Sequence, residues 1–262
     1  MPPSTSTIDR VINNKLHYTL KVLKVEPADY NRANRVEARR KWVQHFSDSG
    51  ASMFNVVYID ETGFNLHLHI TYGQAKIGMW AIKSVTSDQG KNTTYMAAIG
   101  QEGVIANFAH QGSTTNKLYA WFLKTKVFPK LTFPCCIIMD NAQFHKTKLI
   151  RDTFTESPHQ AVYLPLYSPF LNAAEWLFVH VKPHLSKEEY KDSESLFNAI
   201  HRSANSVTGS HVIDWIHEVN RNLHRAMNGE VLGQEYHFNM AEGDKDLAGQ
   251  LLSDLADLCV FA

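Results

Sequence analysis

The chain has 262 residues, 44% of them apolar, with 26 Lys and Arg balanced by 26 Asp and Glu. That is enough apolar material for one large domain with an appendage or for two small domains. No stretch approaches the ~20 uninterrupted apolar residues of a membrane helix, so no membrane partner is expected.

The opening Met-Pro-Pro-Ser-Thr-Ser lacks an apolar signal core. Three cysteines, two of them adjacent, make neither a disulfide framework nor a CxxC zinc pair. The zero net charge conceals segregation. Residues 1–50 carry nine Lys and Arg against five acids, a balance of +4, while residues 230–262 carry one Lys against seven acids, a balance of −6. Only the basic head has the sign expected for phosphate contacts.

In chain order, residues 4–13 read as a short capped helix, with Ile8, Val11 and Ile12 on one face. Residues 14–27 read as extended, and 29–47 as a helix in which Ala38, Trp42 and Phe46 repeat while Arg35, Arg39, Arg40 and Lys41 cover the rest. Ser47-Asp48-Ser49-Gly50 marks a boundary. Strands are expected at 54–60, 64–71, 79–85, 94–99 and 104–108, and a helix at 114–127. Then come strand 135–140, helix 146–156, strand 161–164, helix 172–182 and a helical hairpin over 193–225. A weak helical pattern at 246–258 lies in the acidic tail. Several strands followed by alternating helices and strands give an α/β fold, a mixed sheet flanked by helices.

Three carboxylates stand out. Asp60 ends the apolar run Val56-Val57-Tyr58-Ile59, and Asp140 ends Cys135-Cys136-Ile137-Ile138-Met139. A carboxylate at the end of a buried strand sits where open α/β sheets bind ligands. Two such groups on adjacent strands repel unless a cation lies between them. Glu175 falls three residues after Asn172, which reads as a helix N-cap behind Pro165 and Pro169; a capping box between Asn172 and Glu175 is the structural alternative. Alternation sends Asp60 and Glu61 to opposite faces and does not choose between them. Asn141 and His145 follow Asp140 closely enough to support it. His67 and His69 share a strand face but lack a third zinc ligand at a recognisable spacing, and Pro183 is expected to interrupt the helix carrying His180 and His184. Three acids so placed can hold two divalent ions for phosphoryl chemistry.

These segments together resemble the mariner-like superfamily of DDE transposases. The matching residues are Ile59-Asp60-Glu61-Thr62-Gly63-Phe64-Asn65, then Met139-Asp140-Asn141-Ala142-Gln143-Phe144-His145-Lys146, then Leu164-Pro165-Leu166-Tyr167-Ser168-Pro169 through Leu171-Asn172, Glu175-Trp176 and Lys182, with 34 residues between Asp140 and Glu175. The resemblance implies a ribonuclease-H-like catalytic domain in which Asp60, Asp140 and Glu175 are the catalytic, metal-binding triad for two Mg²⁺ or Mn²⁺ ions, with Asp60 rather than Glu61 as the ligand. It implies DNA strand cleavage and transfer on terminal inverted repeats and target DNA, insertion at TA dinucleotides, a homodimer on DNA, and work in the nucleus if the host is eukaryotic or in the cytoplasm or nucleoid if it is bacterial.

On this reading residues 1–50 are a truncated helix-turn-helix remnant and linker helix, whose DNA contacts are Arg10, Arg35, Arg39, Arg40 and Lys41. Residues 51–228 are the catalytic domain, and 229–262 an acidic tail with no assigned role. Ala173 and Ala174 stand where the family has Pro and an aliphatic residue, and His67-Leu68-His69-Ile70 replaces several arginines. The rival readings are a non-catalytic DNA-binding protein derived from such an element, and a structure-specific nuclease on the same fold.

Overall fold

The apolar runs that read as strands are buried on both faces, because helices cover both sides of the sheet. The computed structural model describes residues 10–11, 14, 29–52, 54–64, 92–185, 190 and 192–232. Helix α1 (Ala33–Ser47) precedes β1 (Val56–Phe64), β2 (Thr93–Gly100) and β3 (Gly103–Gln111). Helix α2 (Asn116–Phe122) continues as a wider π turn over Leu123–Val127 and a 3-10 turn over Phe128–Lys130. Then follow β4 (Cys136–Met139), α3 (Lys148–Thr155), β5 (Gln160–Tyr163), α4 (Ala174–Leu185), α5 (Ser193–Asn205) and α6 (Gly209–Met227). The expected strands at 64–71 and 79–85, helix 4–13 and the tail helix lie largely or wholly outside the described residues.

The sheet order is β3-β2-β1-β4-β5. Strands β1 to β3 form an antiparallel meander, whereas β4 runs parallel to both β1 and β5. Successive residues alternate between two cores, as a pleated strand requires. Val56, Tyr58, Cys136 and Ile138 pack under α4, α5 and α6, while Val57, Ile59, Ile137 and Met139 pack under α2 and α3. A sheet covered on both faces accounts for apolar runs without polar alternation. Tyr30 and Val43 belong to the same core as β1 and α4, so the segment before residue 50 packs directly on the sheet domain.

Two boundaries differ from expectation. Strand β1 does not end at Asp60 but continues to Phe64, paired with β2 from Tyr58↔Ile99 to Phe64↔Thr93. Backbone pairing carries it on through Glu61-Thr62-Gly63, where apolar side chains have stopped. Helix α4 includes Pro183 in its last turn, so His180 and His184 share one helix, with ring centroids 4.9 Å apart.

The first turn of α6 meets the β2–β3 turn through Gly209. A Cβ there would lie 3.0 Å from the Gln101 carbonyl oxygen and 3.2 Å from that of Glu102. Alanine normally favours a helix over glycine by about 1 kcal/mol, but contact with two rigid carbonyls reverses the sign. Gly209→Ala is expected to destabilise the protein by about 1–2 kcal/mol; a urea midpoint equal to or above wild type would contradict this.

Candidate active site

The parallel pairing of β1 with β4 ends at Tyr58↔Ile138, and the strands part just beyond it. Asp60 stands two residues further along β1, and Asp140 immediately follows β4. Glu175 is the second residue of α4, a helix packed on the sheet face that carries Val56 and Tyr58. The three acids line one open cleft of about 320 Å³, with Asn141, Asn172 and the 164–169 loop forming the rest of its wall. The triad inferred from the motifs therefore converges on one cleft.

Asp60 is held by two donors. The Glu61 backbone N–H donates to Oδ1 at 2.8 Å, and Asn172 Nδ2 donates to Oδ2 at 3.0 Å. Asn172 is buried; Nδ2 also lies 3.3 Å from the Ile59 carbonyl, and Oδ1 accepts from the Ala174 N–H at 3.1 Å. The helix starts one residue later than expected, so Ala173 stands at the N-cap, and Asn172 just before it satisfies the first helical amide and orients Asp60 as well. The alternative capping box does not form, because the Asn172 amide donates to Pro169 O at 2.8 Å. Burial, followed by the charge of Glu175, pushes Asp60 well above the usual carboxylate range. Burial raises Glu175 too, against the pull of the Lys182 ammonium.

Asp140 has the opposite electrostatics. His145 Nδ1 lies 2.8 Å from its Oδ1, close enough for an ion pair though not aligned for a hydrogen bond. The other ring nitrogen, Nε2, is 3.0 Å from Glu61 Oε1. His145 is 1% exposed and packs on the Tyr119 ring at 4.3 Å between centroids. Although burial opposes it, the two carboxylates raise the imidazole to about 9, and the pair with His145 holds Asp140 below its usual range despite desolvation. The Ala142 N–H donates to Asp140 Oδ1 at 3.2 Å. Asp60 and Glu61 do point to opposite faces, yet Glu61 returns to the site through His145. The sequence marked His145 as a candidate and not its link to Glu61; the signal was a histidine five residues after Asp140 in a segment that folds as a 3-10 turn (Gln143–Lys146). Asn141 Oδ1 accepts from Lys146 Nζ.

The expected DNA-contact residues divide. Arg10 is exposed. The Arg40 guanidinium forks onto Glu37 at 2.8 and 2.9 Å, and Lys41 reaches the same acid at 3.6 Å. Arg35 lies over the Tyr167 ring at 5.7 Å. Arg39 is a correction: it is 1% exposed and bonded inward, so it offers no surface charge to a phosphate. Helix α1 buries Arg39 with Val43, beside Trp42 and Phe46 of the expected repeat, which pack partly buried on the same core.

The acids fit divalent metal by chemistry. Hard oxygen donors, two of them made reluctant to ionise by burial and mutual repulsion, are the donor set that Mg²⁺ or Mn²⁺ stabilises. Among the described residues no three ligand-type side chains are already drawn together around one point.

The family described as DDE superfamily endonuclease matches residues 55–197, which include all three acids. Comparison with curated protein sequences found no match. Among solved structures, the Mos1 mariner paired-end complex with Mn aligns over 88% of this chain and 72% of its own at 14% identity and a TM-score of 0.67. The Mos1 strand transfer complex aligns over 88% and 70% at 15% identity and 0.69. The catalytic domain of Mos1 mariner transposase aligns over 81% of this chain and all of its own at 15% identity and 0.57. These likenesses establish the fold as the expected ribonuclease-H-like one.

Proposed function

This chain belongs to the DDE superfamily of endonucleases, and we propose that it is a mariner-like DNA transposase that cuts and joins DNA strands with divalent metal at Asp60, Asp140 and Glu175. One observation carries the reading: acids 34 and 79 intervening residues apart in sequence line a single open cleft where two parallel strands part. The similar Mos1 structures include complexes with Mn, with Mg and with a left transposon end, which supports metal and DNA as ligands here. The finer reading is two ions per site, a homodimer on element ends, and insertion at TA sites.

When bound, divalent metal supplies activation of water or a DNA 3′-hydroxyl for attack on phosphorus and relief of charge on the leaving oxygen. The chain's own residues prepare that chemistry. Asn172 holds one oxygen of the Asp60 carboxylate. His145 holds Asp140 ionised and tethers it to Glu61. Lys182 favours the charged form of Glu175. The wall at 164–169 leaves the cleft open on one side, as a DNA strand requires.

Metal binding is testable without DNA. Asp60 and Glu175 are raised in the folded state, so their stabilising contribution is complete at low pH and is lost as pH rises through their folded values. A cation favours the ionised forms of both acids, so its benefit grows with pH. Millimolar Mn²⁺ is expected to raise Tm by several degrees at pH 8 and less at pH 6, and Asp60→Asn to remove most of the effect. Equal shifts in wild type and Asp60→Asn, or none at either pH, would contradict the proposal.

A further inference from the structure

Arg39 is a fully buried cation with no carboxylate within ion-pairing distance among the described residues. Burying a charge without a counter-charge is costly unless fixed dipoles replace its water. Here they do. Nε donates to Ser168 Oγ at 3.1 Å, Nη1 to Asn31 Oδ1 at 2.7 Å, and Nη2 to the Tyr30 carbonyl and, at 2.9 Å, to the Tyr167 carbonyl. The Tyr30 and Phe170 rings lie 5.2 and 5.1 Å from the guanidinium carbon, where ring faces attract a cation.

The contacts on the far side belong to the loop between β5 and α4. Tyr167 has φ 56°, the only positive value outside glycine among the described residues, a conformation that persists only where surroundings enforce it. The next residue, Ser168, accepts the Leu171 N–H at 3.1 Å, and Pro169 accepts the Asn172 N–H at 2.8 Å. The turn so built delivers Asn172 to Asp60 and starts the helix carrying Glu175. A second fastening, from Trp42 Nε1 to Tyr163 O at 2.7 Å, ties α1 to the start of the same loop.

We propose that Arg39 is a positioning residue that locks the 164–172 loop, and through Asn172 the relative placement of Asp60 and Glu175, from the linker helix α1. This rests on the metal-site reading above. An arginine suits the task because its planar fork serves several acceptors at once, which lysine does not.

The test compares full-length wild type, Arg39→Lys and Ser168→Ala by hydrogen exchange, with a Mn²⁺ thermal-shift titration alongside. Exchange is expected to speed up about tenfold or more at amides in 164–176, with 93–111 unchanged. The Mn²⁺ concentration giving half the thermal shift should rise about fivefold in Arg39→Lys, and less in Ser168→Ala, which loses the bond from Arg39 Nε and the longer one from Ser168 Oγ to the Leu166 carbonyl. Unchanged exchange in 164–176 in both variants overturns the proposal, as does equal loosening of 93–111 in both. If Arg39→Lys alone loosens everywhere, Ser168→Ala decides: selective loosening supports the clamp, and none overturns it. If wild type shows no Mn²⁺ shift, the functional reading fails, and the exchange pattern alone still decides whether Arg39 sets this loop.

Discussion

Asp140→Ala should erase metal-dependent DNA cleavage, by about a thousandfold or more, while leaving a folded protein that is slightly less stable than wild type. The activity loss follows from removing one of three oxygen donors around the cleft. The stability sign follows from His145. Crowded acids alone would make loss of one a relief, but Asp140 is paired with an imidazole raised to about 9. Its own acidity is strengthened, so its contribution is present above the unfolded carboxylate value and fades only as pH falls into the acid range. The side chain is 51% exposed, and screening limits the loss to about 1 kcal/mol or less. Plasmid nicking and urea midpoints at pH 7 measure the two effects. Cleavage within tenfold of wild type, or a variant more stable than wild type, would refute this account of Asp140.

Asn172→Ala should cost more stability than any other single change at the site, about 2–4 kcal/mol, and lower cleavage by about a hundredfold. One buried amide serves Asp60, the Ile59 carbonyl and the Ala174 N–H. Alanine leaves a buried carbonyl and a helix N–H without this partner and lets the Asp60 carboxylate rotate. Loss of the bond to the Ala174 N–H alone is worth about 1 kcal/mol; the remainder is the desolvation of the groups left behind. Asn172→Asp keeps the acceptor but places a further anion beside Asp60, so it should be more dependent on added Mn²⁺ for stability. An alanine variant within 1 kcal/mol of wild type would show that Asp60 is oriented by something else.

The sequence made the sheet legible where side chains dictate it. Runs such as Cys136-Ile137-Ile138-Met139 admit little but a strand buried on both faces, and the acids that end or follow such runs were visible for the same reason. It misled where the backbone dictates. Strand β1 continues past Asp60 because antiparallel pairing with β2 needs no apolar residue at Glu61, Thr62 or Gly63. Helix α4 runs through Pro183, which sits two residues before its end, so a break there would forfeit only the final residues. Arg39 looked like one of several surface cations; its burial is made tolerable by Tyr30 and Asn31 together with the Tyr167 carbonyl, the Ser168 hydroxyl and the Phe170 ring brought in from the far loop. The bridge from Glu61 through His145 to Asp140 spans 84 residues at one contact and leaves no spacing signature that a strand or helix period would reveal.

The most direct test of a single metal-dependent site is nicking of supercoiled plasmid in Mg²⁺ or Mn²⁺ by wild type beside Asp60→Asn, Asp140→Ala, Glu175→Gln and Glu61→Gln. The account predicts nicking by wild type only with metal, its loss in all three triad variants, and a partial loss in Glu61→Gln, which acts through His145. Nicking that survives loss of any triad acid, or a folded, DNA-binding wild type that never nicks, would contradict it and favour a DNA-binding protein that keeps the fold without the chemistry.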